Sequence, residues 1–215
     1  MLKLGKSLKK LTLLLLSAGL ALPSVAQEEM PKRSKTNVID ATDPKFNELQ
    51  SPDVNVGGAN KKFRAKKWLE MEVAIDVKKW SPSPEDDYID NITVKWWVVV
   101  KGQDRKTYLI EKSVDHVNVP SDETSYVSVY VSPNALRRIT GSKSGGKSDL
   151  EAVGGEIHYG GEMVGYFSHG KGSPGWWRKD LGKIEKTGKF PLLNKDETPF
   201  KPFWYDRYAE IKARK

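Results

Sequence analysis

The best match to a cofactor-binding motif is the stretch Gly141–Ser148, which fits the phosphate-loop pattern GxxxxGK followed by Ser or Thr. Such a loop binds phosphate because it joins a strand to a helix whose N-terminal amides point at the anion. In this chain a helical turn is predicted before the loop, and Gly154 and Gly155 follow too closely to leave room for a helix. We therefore expect a flexible surface loop that binds no nucleotide, and no cofactor elsewhere.

Other residue types that could carry chemistry are scarce or poorly spaced. The histidines His116, His158 and His169 are too few and too scattered for a zinc site, and the acidic stretch around Asp87 lacks the spacing of an EF-hand. The absence of cysteine excludes a thiol nucleophile, thiolate metal ligands and disulfide bonds. No GxSxG motif, Ser/His/Asp arrangement or recognisable pair of catalytic carboxylates is present. These patterns predict a protein that is not an enzyme and binds no metal.

Two segments with alternating apolar and polar side chains must position the rest of the chain. Asp90–Lys101 and Trp68–Lys79 place β-branched and aromatic residues at every second position, which predicts two half-buried strands. The alternation turns Trp96 toward the core. Trp68 and Trp97 fall on the opposite faces, which point outward.

Shorter elements complete the predicted domain. Ser132 is a suitable N-cap and Gly141 a suitable left-handed stop, so a short helix is expected between them. In a hairpin that turns at two glycines, Gly155 is expected to lie opposite Tyr166, whose ring would cover the bare glycine. The remaining predicted strands are 107–114, 125–131 with Tyr130 facing outward, 150–159 and 162–168.

The order of these elements predicts the fold class. Strand, strand with an inward tryptophan, shorter strand, strand, short helix and hairpin correspond to strands B, C, C′, E, F and G of an immunoglobulin-like sandwich. The inter-sheet disulfide and a clear tyrosine corner of true immunoglobulin domains are missing. We therefore predict an all-β, Ig-like β-sandwich of about seven strands, with a short helix between E and F and an aromatic-rich, irregular C-terminal extension. An OB-type barrel is the alternative.

The N-terminus has the pattern of a secretory signal peptide. Four lysines precede the apolar run Leu11–Leu22, and Ser24-Val25-Ala26 offers a cleavage site before Gln27. Cleavage would lower the net charge from +8 to +4, so the high pI says little about nucleic acid. We expect export to the periplasm, the outer surface or the medium, with no transmembrane segment after cleavage. The predicted divisions are 1–26 signal peptide, 27–62 polar and partly disordered lead-in, 63–172 sandwich and 173–215 extension packed on the sandwich.

A run of basic residues lies in front of the first strong strand. Lys61, Lys62 and Arg64 are candidate contacts for an anionic partner such as a membrane surface, a polyanionic glycan or a nucleic acid. The competing interpretation is a solvated flank that prevents the following strand from pairing with other chains. We expect the flank, and no nucleic-acid partner.

Aromatic residues are the second group of binding candidates. Both central strands carry a tryptophan on the outward face, and residues 173–215 are rich in aromatic side chains. A soluble monomer rarely exposes more than about 300–600 Å² of contiguous apolar surface, so we expect the extension to pack over the outward tryptophans. The other possibility is a surface that binds a protein or stacks sugars. The residues concerned are Trp68, Trp97, Trp176, Trp177 and Trp204.

The aromatic run Thr198–Tyr208 near the C-terminus resembles the end of small exported Ig-like proteins, called pilus-like, that are found beside type IV pilus assembly genes in verrucomicrobial bacteria. The signal peptide and strand order are also similar. The resemblance implies a role in the cell envelope or at the pilus and carries no catalytic signature. A pilin keeps its apolar N-terminal helix, whereas this chain is expected to lose its apolar segment, so the resemblance implies an accessory protein.

The sequence thus predicts an exported, non-enzymatic interaction or structural protein of the envelope, a type IV pilus-associated accessory, whose partner is an envelope or pilus protein. The alternative is a carbohydrate-binding module that stacks a glycan on exposed tryptophans. A hydrolase of unrecognised type is a third, weaker interpretation.

Overall fold

The computed structural model describes residues 38–53, 64–78, 87–142, 146–170 and 172–213. The predicted signal peptide and the candidate residues Lys61 and Lys62 lie outside these ranges. Within them, no helix has the length and apolar character that a membrane span requires. The described strands are β1 (Ile39–Ala41), β2 (Lys45–Gln50), β3 (Lys67–Val77), β4 (Tyr88–Ile89), β5 (Ile92–Lys101), β6 (Thr107–Val117), β7 (Val119–Pro120), β8 (Thr124–Val131), β9 (Leu150–Tyr159), β10 (Glu162–Gly170), β11 (Glu185–Lys186), β12 (Leu192–Asn194) and β13 (Glu210–Ile211).

Two packed sheets form the body of the molecule. The first has the order β1-β3-β8-β12, with β2 also paired to β3, and the second has the order β10-β9-β5-β6-β11, with β13 also paired to β6. Strands β4 and β7 form a separate two-stranded sheet. Strands B and E of the predicted sandwich therefore share one sheet, while G, F, C and C′ lie side by side in the other. This arrangement confirms the all-β sandwich.

The core lies between the two sheets and follows the alternation of β3 and β5. The Trp96 side chain is 1% exposed, and its ring centroid lies 4.6 Å from that of Phe167. Truncating a buried tryptophan of this kind typically costs about 3–5 kcal/mol, so Trp96 is a major contributor to the stability of the sandwich.

The short helix begins and ends where the sequence predicts. Helix α1 (Pro133–Thr140) starts after Ser132, whose hydroxyl accepts a hydrogen bond from the Ala135 amide at 3.2 Å. It ends at Gly141, which has a φ of 71° and donates its amide to the Arg137 carbonyl. Four 3-10 helices complete the described elements, at Lys147–Asp149, Trp176–Arg178, Lys195–Glu197 and Tyr205–Arg207.

The predicted hairpin forms, but its register differs from the prediction. A bulge between Met163 and Gly165 shifts the pairing by one residue, so that Phe167 rather than Tyr166 lies opposite Gly155. A one-residue shift reverses the face of every following side chain, and the Phe167 ring therefore covers the glycine. At the bulge, a Cβ atom on Gly165 would lie 2.7 Å from the Ile39 carbonyl oxygen, so the close approach of β1 requires glycine there.

One further expectation was wrong, and one outward-facing residue is buried for a reason that its own strand does not reveal. Residues 39–50, placed in the polar lead-in, form β1 and β2, because an edge strand needs few apolar residues when it pairs with a strong neighbour. Tyr130 faces away from the core between the sheets, as expected, but it is fully buried because Phe200 stacks on it at 5.6 Å.

The C-terminal segment 172–213 adds strands to both sheets. Strand β12 pairs with β8 in the first sheet, whereas β11 and β13 pair with β6 in the second. The segment also contributes Phe190, Leu192 and Ala209 to the core between the sheets. It is therefore an integral part of the sandwich in the described structure, and it carries the candidate site described next.

Candidate functional site

Three large aromatic side chains are largely exposed among the residues that the structure describes. They are Tyr88 (61% exposed), Trp204 (55%) and Tyr205 (59%), and we call them the aromatic tip. Tyr88 and Tyr205 line the same cleft, which has a volume of about 250 Å³ and also contains the acidic residues Glu123, Asp206 and Glu210. The tip thus combines apolar ring surface with nearby hydrogen-bond acceptors.

A strained but well-anchored turn presents two residues of the tip, Trp204 and Tyr205. Trp204 has a φ of 52°, in the left-handed region that costs an ordinary residue about 1–2 kcal/mol. The following 3-10 helix is closed by hydrogen bonds from the Arg207 amide to the Trp204 carbonyl and from the Tyr208 amide to the Tyr205 carbonyl, both of 3.2 Å. The Ala209 amide then bonds to the Tyr126 carbonyl at 2.9 Å. The surrounding structure therefore fixes the conformation at Trp204.

Two buried carboxylates on β3 anchor the same turn. Glu70 and Glu72 point away from the core but are only 2% and 5% exposed. The Tyr208 hydroxyl donates to Glu72 Oε2 at 2.6 Å and lies 3.0 Å from Glu70 Oε1. Arg207 donates to Glu72 Oε1 at 2.8 Å, and Tyr130 donates to Glu70 Oε1 at 2.6 Å. Each carboxylate is therefore compensated, as a buried charge must be.

The electrostatics of this network follow from its burial. Burial raises the pKa of the Tyr208 hydroxyl, and its hydrogen bond to Glu72 raises that pKa further. Burial also raises the pKa of the Tyr130 hydroxyl, as does the charge of Glu70. Burial lowers the pKa of Lys195, whose Nζ lies 4.7 Å from the centre of the Tyr208 ring. Both hydroxyls remain protonated donors over the ordinary pH range, so the network holds the turn in place.

The outward tryptophans of the second sheet are packed together. The rings of Trp97 and Trp177 stack with centroids 5.6 Å apart, and Trp176 meets Trp177 edge-on at 5.5 Å. Trp176 and Trp177 are 8% and 7% exposed. A Cβ atom on Gly154 would overlap the Trp177 ring, which explains the glycine in the middle of β9. These three tryptophans therefore form an apolar layer on the sheet.

Glu156 holds this layer in place. Its carboxylate accepts hydrogen bonds from Trp177 Nε1 at 2.6 Å and from Arg178 Nε at 2.5 Å, and His158 Nε2 lies 2.8 Å away. Burial alone raises the pKa of this carboxyl, but the hydrogen bonds from Arg178, Trp177 and His158 outweigh burial, so that the pKa lies below its usual value. The carboxylate is therefore ionised and fully engaged at neutral pH.

The other binding candidates predicted from the sequence, Trp68 and Arg64, lie outside the aromatic tip. Trp68 on β3 is half-buried, packs edge-on against Phe200 at 5.8 Å and donates its indole N–H to Ser51 Oγ at 3.1 Å. Arg64 is exposed at the edge of a separate basic cleft. Of the five tryptophans proposed as binding residues, Trp204 alone belongs to the aromatic tip.

In the part of the phosphate-loop look-alike that the structure describes, the amides of Gly141, Ser142 and Gly146 bind groups of the protein itself. The Gly146 amide donates to Asp149 Oδ2 at 2.9 Å, and a three-residue 3-10 helix leads directly into β9. The Glu48 carboxylate lies close to Gly146, and the Lys147 backbone amide helps to keep the Glu48 pKa below its usual value, after the larger effect of Lys67. Residues 143–145 of the motif lie outside the described ranges.

Sequence reasoning did not single out Tyr88 and Tyr205. Tyr88 follows an acidic loop without strong alternation, and Tyr205 is one of several aromatic residues in a short run. The usable signal is the sequence Phe203-Trp204-Tyr205, in which three consecutive rings cannot all turn inward.

Among the described residues, no group of three or more His, Cys, Asp or Glu side chains is arranged to hold a metal ion.

Comparison with known proteins adds two relationships. A protein-family model matches residues 30–215 of the chain. The structure is similar to the crystal structure of a protein from Akkermansia muciniphila, with a TM-score of 0.77 and 36% sequence identity over 82% of this chain and 94% of that chain. A search of curated proteins finds no match.

Proposed function

The chain belongs to the protein family whose model matches residues 30–215, and we propose that this member is a non-enzymatic binding protein of the cell envelope. The observation that carries the proposal is the aromatic tip. Trp204 and Tyr205 sit on a turn that is held by hydrogen bonds to buried carboxylates on β3, and Tyr88 faces the same cleft from β4. Tryptophan and tyrosine are the residue types that most often dominate binding at protein interfaces.

The rigidity of the turn supports a role for the aromatic tip in binding. On one side of the tip, Phe200 is 2% exposed and stacks on Tyr130. On the other side, the Arg207 guanidinium lies 3.6 Å from the centre of the Tyr126 ring while it donates to Glu72. A binding surface that is fixed before the partner arrives loses less conformational entropy on association. The left-handed conformation at Trp204 is maintained by these flanking contacts.

The cellular setting comes from the sequence and from the relative. The signal-peptide pattern predicts export, and the resemblance to pilus-like proteins implies a verrucomicrobial envelope setting. The structurally similar protein comes from Akkermansia muciniphila, a verrucomicrobe. We therefore propose a pilus-associated accessory as the narrower role, with an envelope or pilus protein as the partner that contacts the tip.

Site-specific photocrosslinking in the native host tests the proposal. A photoreactive phenylalanine analogue replaces Tyr205 in one strain and the exposed Lys189 in the matched control. Crosslinks to an envelope or pilus protein that form from position 205, are absent from position 189 and are lost with Trp204→Ala support the proposal. Equal crosslinking at both positions, or no crosslink from position 205, contradicts it.

A second candidate function is binding of a neutral glycan at the same tip. The specific observation is the cleft that Tyr88 and Tyr205 line together with the polar residues Asn118, Glu123 and Asp206. Sugar sites combine an apolar surface with a few hydrogen-bonding groups in this way. Affinity electrophoresis in gels that contain neutral polysaccharides distinguishes the two functions. Only a protein that binds glycan at this cleft would be retarded by the gel, and Tyr205→Ala should abolish the retardation.

A further inference from the structure

A cleft with a strongly cationic lining lies between the start of β3 and the first turn of α1. Its volume is about 470 Å³, within the range of ligand-binding clefts. Four of its ten lining residues are basic and none is acidic. The four are Arg64, Lys66, Lys67 and Arg137.

Local structure holds these basic residues along the cleft. The Lys66 carbonyl accepts a hydrogen bond from the Ser51 amide at 2.8 Å, and Lys66 Nζ lies 3.4 Å from Asn134 Oδ1. Arg137 is fixed by its place in the helix, where its carbonyl accepts the capping hydrogen bond from Gly141. The basic side chains therefore come from two separate elements that face the same space.

Most of this positive charge is not neutralised by the surrounding protein. Lys67 forms an ion pair with Glu48 at 2.9 Å. Among the described residues, no carboxylate forms an ion pair with Arg64, Lys66 or Arg137. Concentrating like charges in a concave site strengthens its attraction for an anion.

Helix α1 increases the positive potential at the same place. Pro133 and Asn134, its first two residues, line the cleft, so the positive end of the helix dipole faces it. The first turn of α1 contains no acidic residue, although Asp and Glu are favoured at that position. The helix terminus therefore adds to the four basic side chains rather than offsetting them.

From these observations we infer that the cleft binds an acidic polysaccharide through the oxyanion groups of one or two sugar units. The lining contains no aromatic side chain on which a nucleobase could stack, which disfavours single-stranded nucleic acid. The site is concave, so a flat lipid surface could not reach its inner wall. A flexible anionic chain can enter it and meet charged donors from the segment before β3 and from α1.

Binding to a matched pair of polymers tests the inference. The whole chain is titrated with dextran sulfate and with neutral dextran, which share a backbone, and with polygalacturonate to separate sulfate esters from carboxylates. Binding to at least one anionic polymer but not to neutral dextran, with an affinity that falls as salt is raised, is the expected result. Binding to phosphatidylglycerol vesicles with no binding to either anionic polymer would overturn the inference in favour of a membrane.

Two sets of variants locate the binding. Arg64→Gln combined with Arg137→Gln removes two cleft charges, and Lys183→Gln combined with Lys189→Gln removes two exposed charges elsewhere. We expect the cleft variant to lose about ten-fold or more in affinity, as for charged hydrogen bonds, and the control to lose less than about two-fold. Equal losses of affinity in the two double variants would mean that the overall positive charge of the protein, and not the cleft, causes binding. Lys66→Gln is an independent test if the double variant unfolds, and a thermal melt verifies folding in each case.

Discussion

The Tyr208 hydroxyl donates a 2.6 Å hydrogen bond to the Glu72 carboxylate, although the two residues are separated by 136 positions in the sequence. The bond joins the C-terminal turn to the central strand of the first sheet. It also supplies a neutral donor to a carboxylate that is almost fully buried. Several testable properties of the protein depend on contacts of this kind.

Removing the Tyr208 hydroxyl should destabilise the fold. In Tyr208→Phe, Glu72 keeps Arg207 but loses its shortest hydrogen bond, and we expect the free energy of unfolding to fall by about 1–3 kcal/mol. Urea denaturation followed by tryptophan fluorescence measures the change. Tyr205→Phe, which alters an exposed ring nearby, should stay within about 0.5 kcal/mol of the parent. Equal stabilities for the two variants would show that the buried hydroxyl has no such role.

A methyl group at Gly155 should disturb the core. It would overlap the Phe167 ring, which packs against Trp96, so Gly155→Ala should cost about 1–3 kcal/mol. The matched control is Gly188→Ala, where an added Cβ atom meets no atom within 4 Å. We expect that control to be neutral or slightly stabilising, by up to about 1 kcal/mol, because alanine restricts the unfolded chain. Thermal melts of both variants measure these changes in stability.

Truncation of Trp177 should show how much the aromatic layer on the second sheet contributes. Trp177→Ala removes the stack on Trp97 and one hydrogen bond to Glu156, and we expect a loss of about 3–5 kcal/mol together with a red shift of the tryptophan emission. Trp204→Ala, at an exposed position, should change stability by no more than about 0.5 kcal/mol. A larger loss of stability for Trp204→Ala than for Trp177→Ala would mean that the stabilising contacts lie outside the aromatic layer.

Acid should destabilise the protein through His116. Burial lowers the pKa of His116 from 6.5 to about 4, against the opposing effect of its contact with the Ala209 carbonyl. Above pH 6.5 the imidazole is neutral in both the folded and the unfolded chain, and stability does not depend on it. Between pH 6.5 and 4 the unfolded chain binds the proton more readily, so the free energy of unfolding should fall by about 3 kcal/mol in total as pH decreases.

The control for this pH dependence is the exposed His169. Denaturation curves at several pH values should show a flattened slope between pH 6.5 and 4 for His116→Gln, whereas His169→Gln should keep the slope of the parent. An unchanged slope in His116→Gln would mean that other groups account for the acid sensitivity.

The sequence was sufficient to predict elements whose side chains alternate or whose ends carry capping residues. The alternation around Trp96 and the Ser132 and Gly141 caps led to the correct strand, helix and sandwich. Register was less predictable, because the bulge before Gly165 depends on the approach of β1, a contact distant in sequence. A pattern within one strand contains no information about such a neighbour.

The candidate site was predicted only in part, for a related reason. Glu70 and Glu72 occupy the polar positions of an alternating strand, where solvent exposure is the usual outcome. Their burial depends on Arg207 and Tyr208, which reach them from the other end of the chain. The many aromatic residues near the C-terminus indicated that this segment would pack over part of the sandwich surface. They did not indicate which rings would remain exposed.

The addition of C-terminal strands to both sheets has a consequence for how the chain acquires its structure. During synthesis, strands β1 to β12 emerge before residues 207–211. Without these residues the second sheet lacks β13, and Glu72 lacks the donors Arg207 and Tyr208 that it has in the folded protein. A nascent chain without its last turn should therefore remain loosely packed and open to proteases. Residues 207–211 would then act as a checkpoint, because a chain that stops before them should not reach a protease-resistant state.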